Sequence, residues 1–234
     1  MTQPDLNAVA IAHLGTLLAV TVYFFKDLRD IAAGTLSGIR TGCLMGTTES
    51  RLGWYIIVGS IPAAVAGLTL EDYFERVFST PLIAAAFLLC TAALLILGER
   101  MRTGEKRLSN MMWRDAILIG FFQMFALLPG ISRSGSTIVG GLMRGLDRGV
   151  AARYSFLLGV PAIVGAGLLS LLDLLGSPDM GSKITSLFTT FIVSAIAGYA
   201  CIHFLLQWLK KHSLIPFAVY CAAFGIIFIM THAF

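Results

Sequence analysis

Six stretches of this chain run for 17 to 26 residues almost without charge: 6–25, 52–70, 81–97, 154–175, 184–209 and 214–230. Asp173 is the one ionised side chain among them. About 20 apolar residues are needed for a helix to cross the hydrocarbon of a bilayer. Inside lipid each backbone N–H and C=O must also find its partner within its own segment. The stretches therefore predict transmembrane helices, and the fold class is all-α, a polytopic membrane protein. A composition 57% hydrophobic and 13% charged excludes a soluble domain. The net charge of +4 sits mostly in short loops, where it reports topology rather than a nucleic-acid footprint. Cys43, Cys90, Cys201 and Cys221 lie singly, without zinc-ligand or disulfide spacing, and suit small apolar packing positions.

One apolar stretch breaks the pattern. Residues 121–143, FFQMFALLPGISRSGSTIVGGLM, carry Ser132, Arg133, Ser134, Ser136 and Thr137 in their middle. An arginine at membrane depth is expensive and points to function. Pro129 interrupts a first helix, Gly130 and Gly135 permit backbone shapes other residues resist, and Ser134 or Ser136 is placed to cap a second helix. The expected product is a broken helix that aims a helix N-terminus and a guanidinium at one spot, a setting for phosphate or diphosphate. Its arms, 116–128 and 137–143, are too short to span. If the stretch enters and leaves on one side, every Lys and Arg except Arg76, Lys183 and the membrane-embedded Arg133 falls on the cytoplasmic side. The prediction is six full transmembrane helices plus one re-entrant helical hairpin entering from the cytoplasm, with both chain ends outside.

A weak internal repeat accompanies this topology. His13-Leu14-Gly15 resembles Leu157-Leu158-Gly159, residues 56–60 resemble 191–195, and Pro81 and Pro216 each open the last span of a set of three. The two sets run in opposite directions, so an inverted-repeat architecture is expected, with a site at the repeat interface. It forms one integral membrane domain: a first repeat within 1–98, the hairpin at 115–143 and a second repeat over 154–234.

At Pro129-Gly130-Ile131-Ser132-Arg133-Ser134-Gly135-Ser136-Thr137 the chain resembles the undecaprenyl-diphosphate phosphatases, also called bacitracin-resistance proteins. Gln123, residues 154–158 with Pro161, and residues 13–20 extend the resemblance over nearly the whole chain. It implies hydrolysis of undecaprenyl diphosphate to undecaprenyl phosphate and phosphate, which recycles the lipid carrier of cell-wall polymers and confers bacitracin resistance. It further implies a divalent cation (Mg2+ or Ca2+), a multi-pass protein of the bacterial inner membrane, a site open to the outer face, the lipid substrate and bilayer as partners, and no nucleic acid. A homodimer is also among the expectations. Arg133 and Ser132 are the candidate catalytic residues. Ser134, Gly135, Thr137, Gln123 and Gly130 are the candidate substrate-binding residues, with His13 and Ser136 acting behind them.

The family's first motif, a pair of glutamates on an N-terminal hairpin, is not matched. The expectation is a member without that hairpin, from a gene start set too far downstream or from a shortened form inactive on its own. Metal-assisted hydrolysis wants carboxylates, and none lies mid-span, so no metal ligands are expected in this chain. Inverted repeats around a central anion site describe secondary transporters equally well. A transporter or flippase, or a non-catalytic binder of prenyl phosphates, is the alternative.

Overall fold

In the computed structural model, which describes residues 6–70, 80–175 and 180–232, the apolar stretches are helical. The described elements are α1 (Leu6–Tyr23), α2 (Phe25–Arg40), α3 (Thr48–Thr69), α4 (Pro81–Met101), a 3-10 turn (Leu108–Asn110), α5 (Trp113–Phe125), α6 (Arg133–Met143), α7 (Arg148–Leu175), α8 (Met180–Leu209) and α9 (Ile215–His232). The architecture is an all-α polytopic membrane protein. Among the described residues, α3, α4, α9 and residues 187–209 of α8 are each long and apolar enough to cross a bilayer, and the bent pair α1–α2 is a fifth candidate. The predicted span 6–25 covers α1 and ends at the first residue of α2, and 154–175 falls in α7. The stretch between the second and third predicted spans, 71–80 with Arg76, lies almost wholly outside the described residues, as does the start of 176–183 between the fourth and fifth.

Several boundaries differ from the expectation. Residues 26–51, expected as a loop, hold α2, bent 76° from α1 at Phe24. Lys26, Asp27, Arg29 and Asp30 crowd its first turns, so it cannot continue an apolar span, yet Leu28 and Ile31 give it an inner face. It packs on α3. Helices α4 and α7 also run past their apolar stretches into charged residues. Glu99 near the end of α4 is bound by Arg148 at the start of α7, with Nη2 2.6 Å from Oε2. The same carboxylate accepts the Leu214 N–H at 2.7 Å, just before α9.

Helix α5 packs on α3, and α6 on α4 and α7, while α1 packs chiefly on α7 and α8 and α9 on α4. Small residues let the backbones meet where no hydrophobic drive separates helix from lipid. A Cβ on Gly120 would lie 2.5 Å from the Gly59 carbonyl oxygen, so α5 and α3 touch backbone to backbone. Tyr154, fully buried in α7, donates its hydroxyl to the Tyr55 carbonyl at 3.0 Å, and Tyr55 donates to the Met111 carbonyl at 3.1 Å. This chain of bonds fixes α7, α3 and the loop before α5 against one another.

Helices α5 and α6 form a helical hairpin, and its feet are tied together. Asp115, in the first turn of α5, has a completely buried carboxylate. It binds Lys106 from the preceding loop, accepts from Arg144 Nε at 2.8 Å at the end of α6, and accepts the Met112 N–H at 2.9 Å. The Lys106 N–H donates to the Gly145 carbonyl at 2.9 Å, and the Asp147 N–H donates back to the Lys106 carbonyl at 3.2 Å. Start and end of the hairpin are therefore on one side of the molecule.

Candidate functional site

The tip of the hairpin is residues 126–132. Helix α5 ends in tightening turns, with the Ala126 N–H on the Phe122 and Gln123 carbonyls and the Leu128 N–H on the Phe125 carbonyl. Gly130 then takes φ +88, a left-handed conformation costly for any residue with a Cβ. Thr91 of α4 holds the turn from the side. Its hydroxyl donates to the Gly130 carbonyl at 2.9 Å and accepts the Ser132 N–H at 3.0 Å.

Ser132 caps α6, its Oγ accepting the Gly135 N–H at 3.1 Å. This corrects the expectation that Ser134 or Ser136 is the cap. The left-handed Gly130 completes the turn early, so the helix starts at Arg133. First-turn amides of a helix, here including those of Arg133 and Ser134, have no intrahelical acceptor, and the helix dipole adds positive potential there.

Arg133 lies with its guanidinium against Gly159 of α7: the three atoms nearest to where a Gly159 Cβ would stand are Nη1, Nη2 and Cζ. Arg133 Nη1 is buried and has no hydrogen-bond partner among the described residues. Gln123, one turn above the tip on α5, is 2% exposed, and neither Oε1 nor Nε2 has a partner among the described residues. Ser136 Oγ is likewise buried and unpartnered. Buried polar atoms are normally paired, and each exception wants an explanation.

The other expected residues are occupied differently. The Thr137 hydroxyl donates to the Arg133 carbonyl at 2.9 Å and stands 2.6 Å from Ser155 Oγ, so the protein itself satisfies it. The Ser134 carbonyl accepts from Thr137 and Ser155. Gly135 is buried beneath the Ser132 side chain. His13 is exposed on α1, which packs chiefly on α7 and α8, and its carbonyl accepts from Thr16 at 2.8 Å. Three residues of the site escaped the sequence reading as site members: Thr91, Ser155 and Gly159. Each lies in an apolar stretch, and although residues 154–158 carry the resemblance and Gly159 the repeat, nothing local assigns any of the three to the site.

The donors at the tip are a guanidinium, an amide, hydroxyls and backbone N–H groups, a set suited to phosphoryl oxygens. No carboxylate joins them in the contacts described. Among the described residues no group of three His, Cys, Asp or Glu side chains converges to hold a metal ion. The described tip therefore fits an anion and does not by itself fit a divalent cation.

The family model described as "Bacitracin resistance protein BacA" matches residues 2–227. Among curated relatives, an undecaprenyl-diphosphatase of Myxococcus xanthus (strain DK1622) is 38% identical over 228 residues, covering 97% of this chain and 76% of the relative. Another from Chloroherpeton thalassium is 40% identical over 235 residues, covering 96% and 82%. A third, from Methanosphaera stadtmanae, is 41% identical over 229 residues, covering 94% and 82%.

Proposed function

The chain belongs to the bacitracin resistance protein BacA family, and from that premise we propose that it hydrolyses undecaprenyl diphosphate to undecaprenyl phosphate and inorganic phosphate. The observation that carries this reading at residue level is the buried, unpartnered Arg133 Nη1 at the N-terminus of α6. An uncompensated guanidinium inside an apolar bundle is costly. A diphosphate offers the charge it lacks.

In this reading Arg133 binds the diphosphate and offsets the negative charge that builds on the transferred phosphoryl group. The first amides of α6 add donors, and the Ser132 hydroxyl, whose oxygen is already held by Gly135, retains its proton to give to a phosphoryl oxygen. Gln123 and Ser136 supply the remaining polar atoms. Thr137 acts by holding α6 to Ser155 rather than by touching phosphate. Mg2+ or Ca2+ is the cation the resemblance implies. The described residues supply no carboxylate cage for it, and no step is routed through it. The protein resides in the bacterial inner membrane, the hairpin enters from the cytoplasm, the two sets of spans are inverted repeats, and the tip is reached from the outer face.

Phosphate release from a C55 prenyl diphosphate, followed with purified protein in detergent and Mg2+ or Ca2+, tests this. Release that falls about 10²–10³-fold in Arg133→Ala supports it, the usual cost of losing a charge-stabilising donor. Arg133-dependent binding of the lipid diphosphate without any release replaces it with the non-catalytic binder.

A further inference from the structure

We infer that Gly159 is a positioning residue for the diphosphate site: its bare backbone on α7 is the seat that fixes where the Arg133 guanidinium points. The inference rests on the reading of Arg133 as the anion-binding group, and carries it one residue further.

The geometry separates Gly159 from the chain's packing glycines. At Gly120 the atoms nearest to a built Cβ are backbone atoms of Gly59, and at Gly130 they are backbone atoms of Ala84. A side chain at either position pushes two main chains apart. At Gly159 the three nearest atoms are all at the head of one side chain, the guanidinium of Arg133, and a methyl group there would overlap every one of them. What Gly159 makes room for is a functional group.

The register that brings the two residues together is built in. Arg133 and Thr137 are four apart on α6, and Gly159 and Ser155 are four apart on α7, so each pair lines one helix face. Thr137 meets Ser155 with hydroxyl oxygens 2.6 Å apart, and Arg133 meets Gly159 one turn further along the antiparallel pair. Ser155 also donates to the Ser134 carbonyl at 3.4 Å, tying α7 to the first turn of α6. With the helices clamped at 137–155, the end of the guanidinium fork meets α7 only because position 159 has no side chain. Any Cβ there turns the fork away from its seat while leaving the helices where they are. A fork misplaced by about 1 Å costs on the order of 10² in rate when it orients a reacting group.

The test uses Gly159→Ala, Arg133→Ala, Arg133→Lys and the combinations, with inorganic pyrophosphate binding by calorimetry, kcat and KM on C55 prenyl diphosphate, and thermal unfolding in detergent. Gly159→Ala is expected to unfold within about 4 °C of the parent while kcat falls about 10²-fold and pyrophosphate binding weakens. In the Arg133→Ala background the same change is expected to cost no further pyrophosphate affinity, since the group it displaces is gone. Arg133→Lys alone weakens binding, because an ammonium lacks the fork. Added to Gly159→Ala it restores part of the pyrophosphate binding relative to that single variant, because the fork that clashes with the methyl has been removed. Parent-like kcat and pyrophosphate affinity in Gly159→Ala overturn the inference while leaving the phosphatase reading intact. An equal loss with and without Arg133, or no relief from Arg133→Lys, also overturns it. Parent-like pyrophosphate affinity in Arg133→Ala overturns both.

Discussion

The two ends of the hairpin bury charge in opposite ways. At the foot, the Asp115 carboxylate is wholly enclosed and meets Lys106, Arg144 and the Met112 N–H. At the tip, about the length of α6 away, Arg133 Nη1, both Gln123 amide atoms and Ser136 Oγ are buried without a partner among the described residues. One pair of helices carries both. A buried charge that the protein has already neutralised is part of the scaffold. A buried charge it has left open is held ready for something that brings the missing partner, and keeping it open costs stability. In the proposed reading the foot holds the tip in place, and the tip carries the chemistry.

The sharpest way to break this comparison is to exchange the two properties. Asp115→Asn leaves Lys106 and Arg144 without their anion, and removing one partner of a buried pair typically costs about 3 kcal/mol or more. Thermal unfolding in detergent should fall accordingly, while pyrophosphate affinity per folded molecule stays at the parent value. Arg133→Ala should do the reverse: unfolding unchanged or raised, phosphate release down about 10²–10³-fold. If Arg133→Ala destabilises as Asp115→Asn does, the arginine is scaffold and the contrast fails.

A change of intermediate size sits between tip and foot. Thr91→Val keeps the shape of the side chain but removes the hydroxyl that serves both the Gly130 carbonyl and the Ser132 N–H. Leaving those backbone groups unpaired should cost about 2 kcal/mol, read as lowered unfolding temperature. Since Ser132 starts α6 and Arg133 follows it, phosphate release should drop with the stability. A stability loss with full activity would show that the tip holds its shape without α4.

How much of this was legible in the sequence follows from the range of each interaction. The spans, the hairpin and the stretch that carries Arg133 are local in the chain: apolar length, a proline, two glycines and an arginine are read by counting. The helical cap was missed by two to four residues because Ser132, Ser134 and Ser136 look alike until the φ of Gly130 is known. Helix α2 was missed because its charges signal a loop, and only its packing on α3 shows the inner face to be used. Thr91, Ser155 and Gly159 act across 18 to 41 residues of sequence. Nothing about a threonine among leucines, or a glycine after Leu158, announces which distant group it receives. The foot was half legible. The basic residues there were read as topology markers, and the structure shows Lys106, Arg144 and Arg148 also paired with Asp115 and Glu99.

The smallest expected effect is the most discriminating, because the two readings of the tip give it opposite signs. Gln123 is buried with both ends of its amide unsatisfied among the described residues. Each buried unsatisfied group costs about 1–3 kcal/mol relative to a paired one, and an apolar side chain of similar shape escapes that cost. Gln123→Leu should therefore raise the unfolding temperature by about 3 °C, the shift expected from roughly 1 kcal/mol in a chain this long. If the amide waits for the diphosphate, pyrophosphate binding should weaken about tenfold at the same time, one hydrogen bond's worth. Arg144→Met at the foot is the control: it too replaces a polar side chain by an apolar one on this hairpin, but it should lower stability and leave binding alone. A Gln123→Leu protein that unfolds earlier than the parent would mean that the amide is scaffold after all, and that the tip differs from the foot only in Arg133.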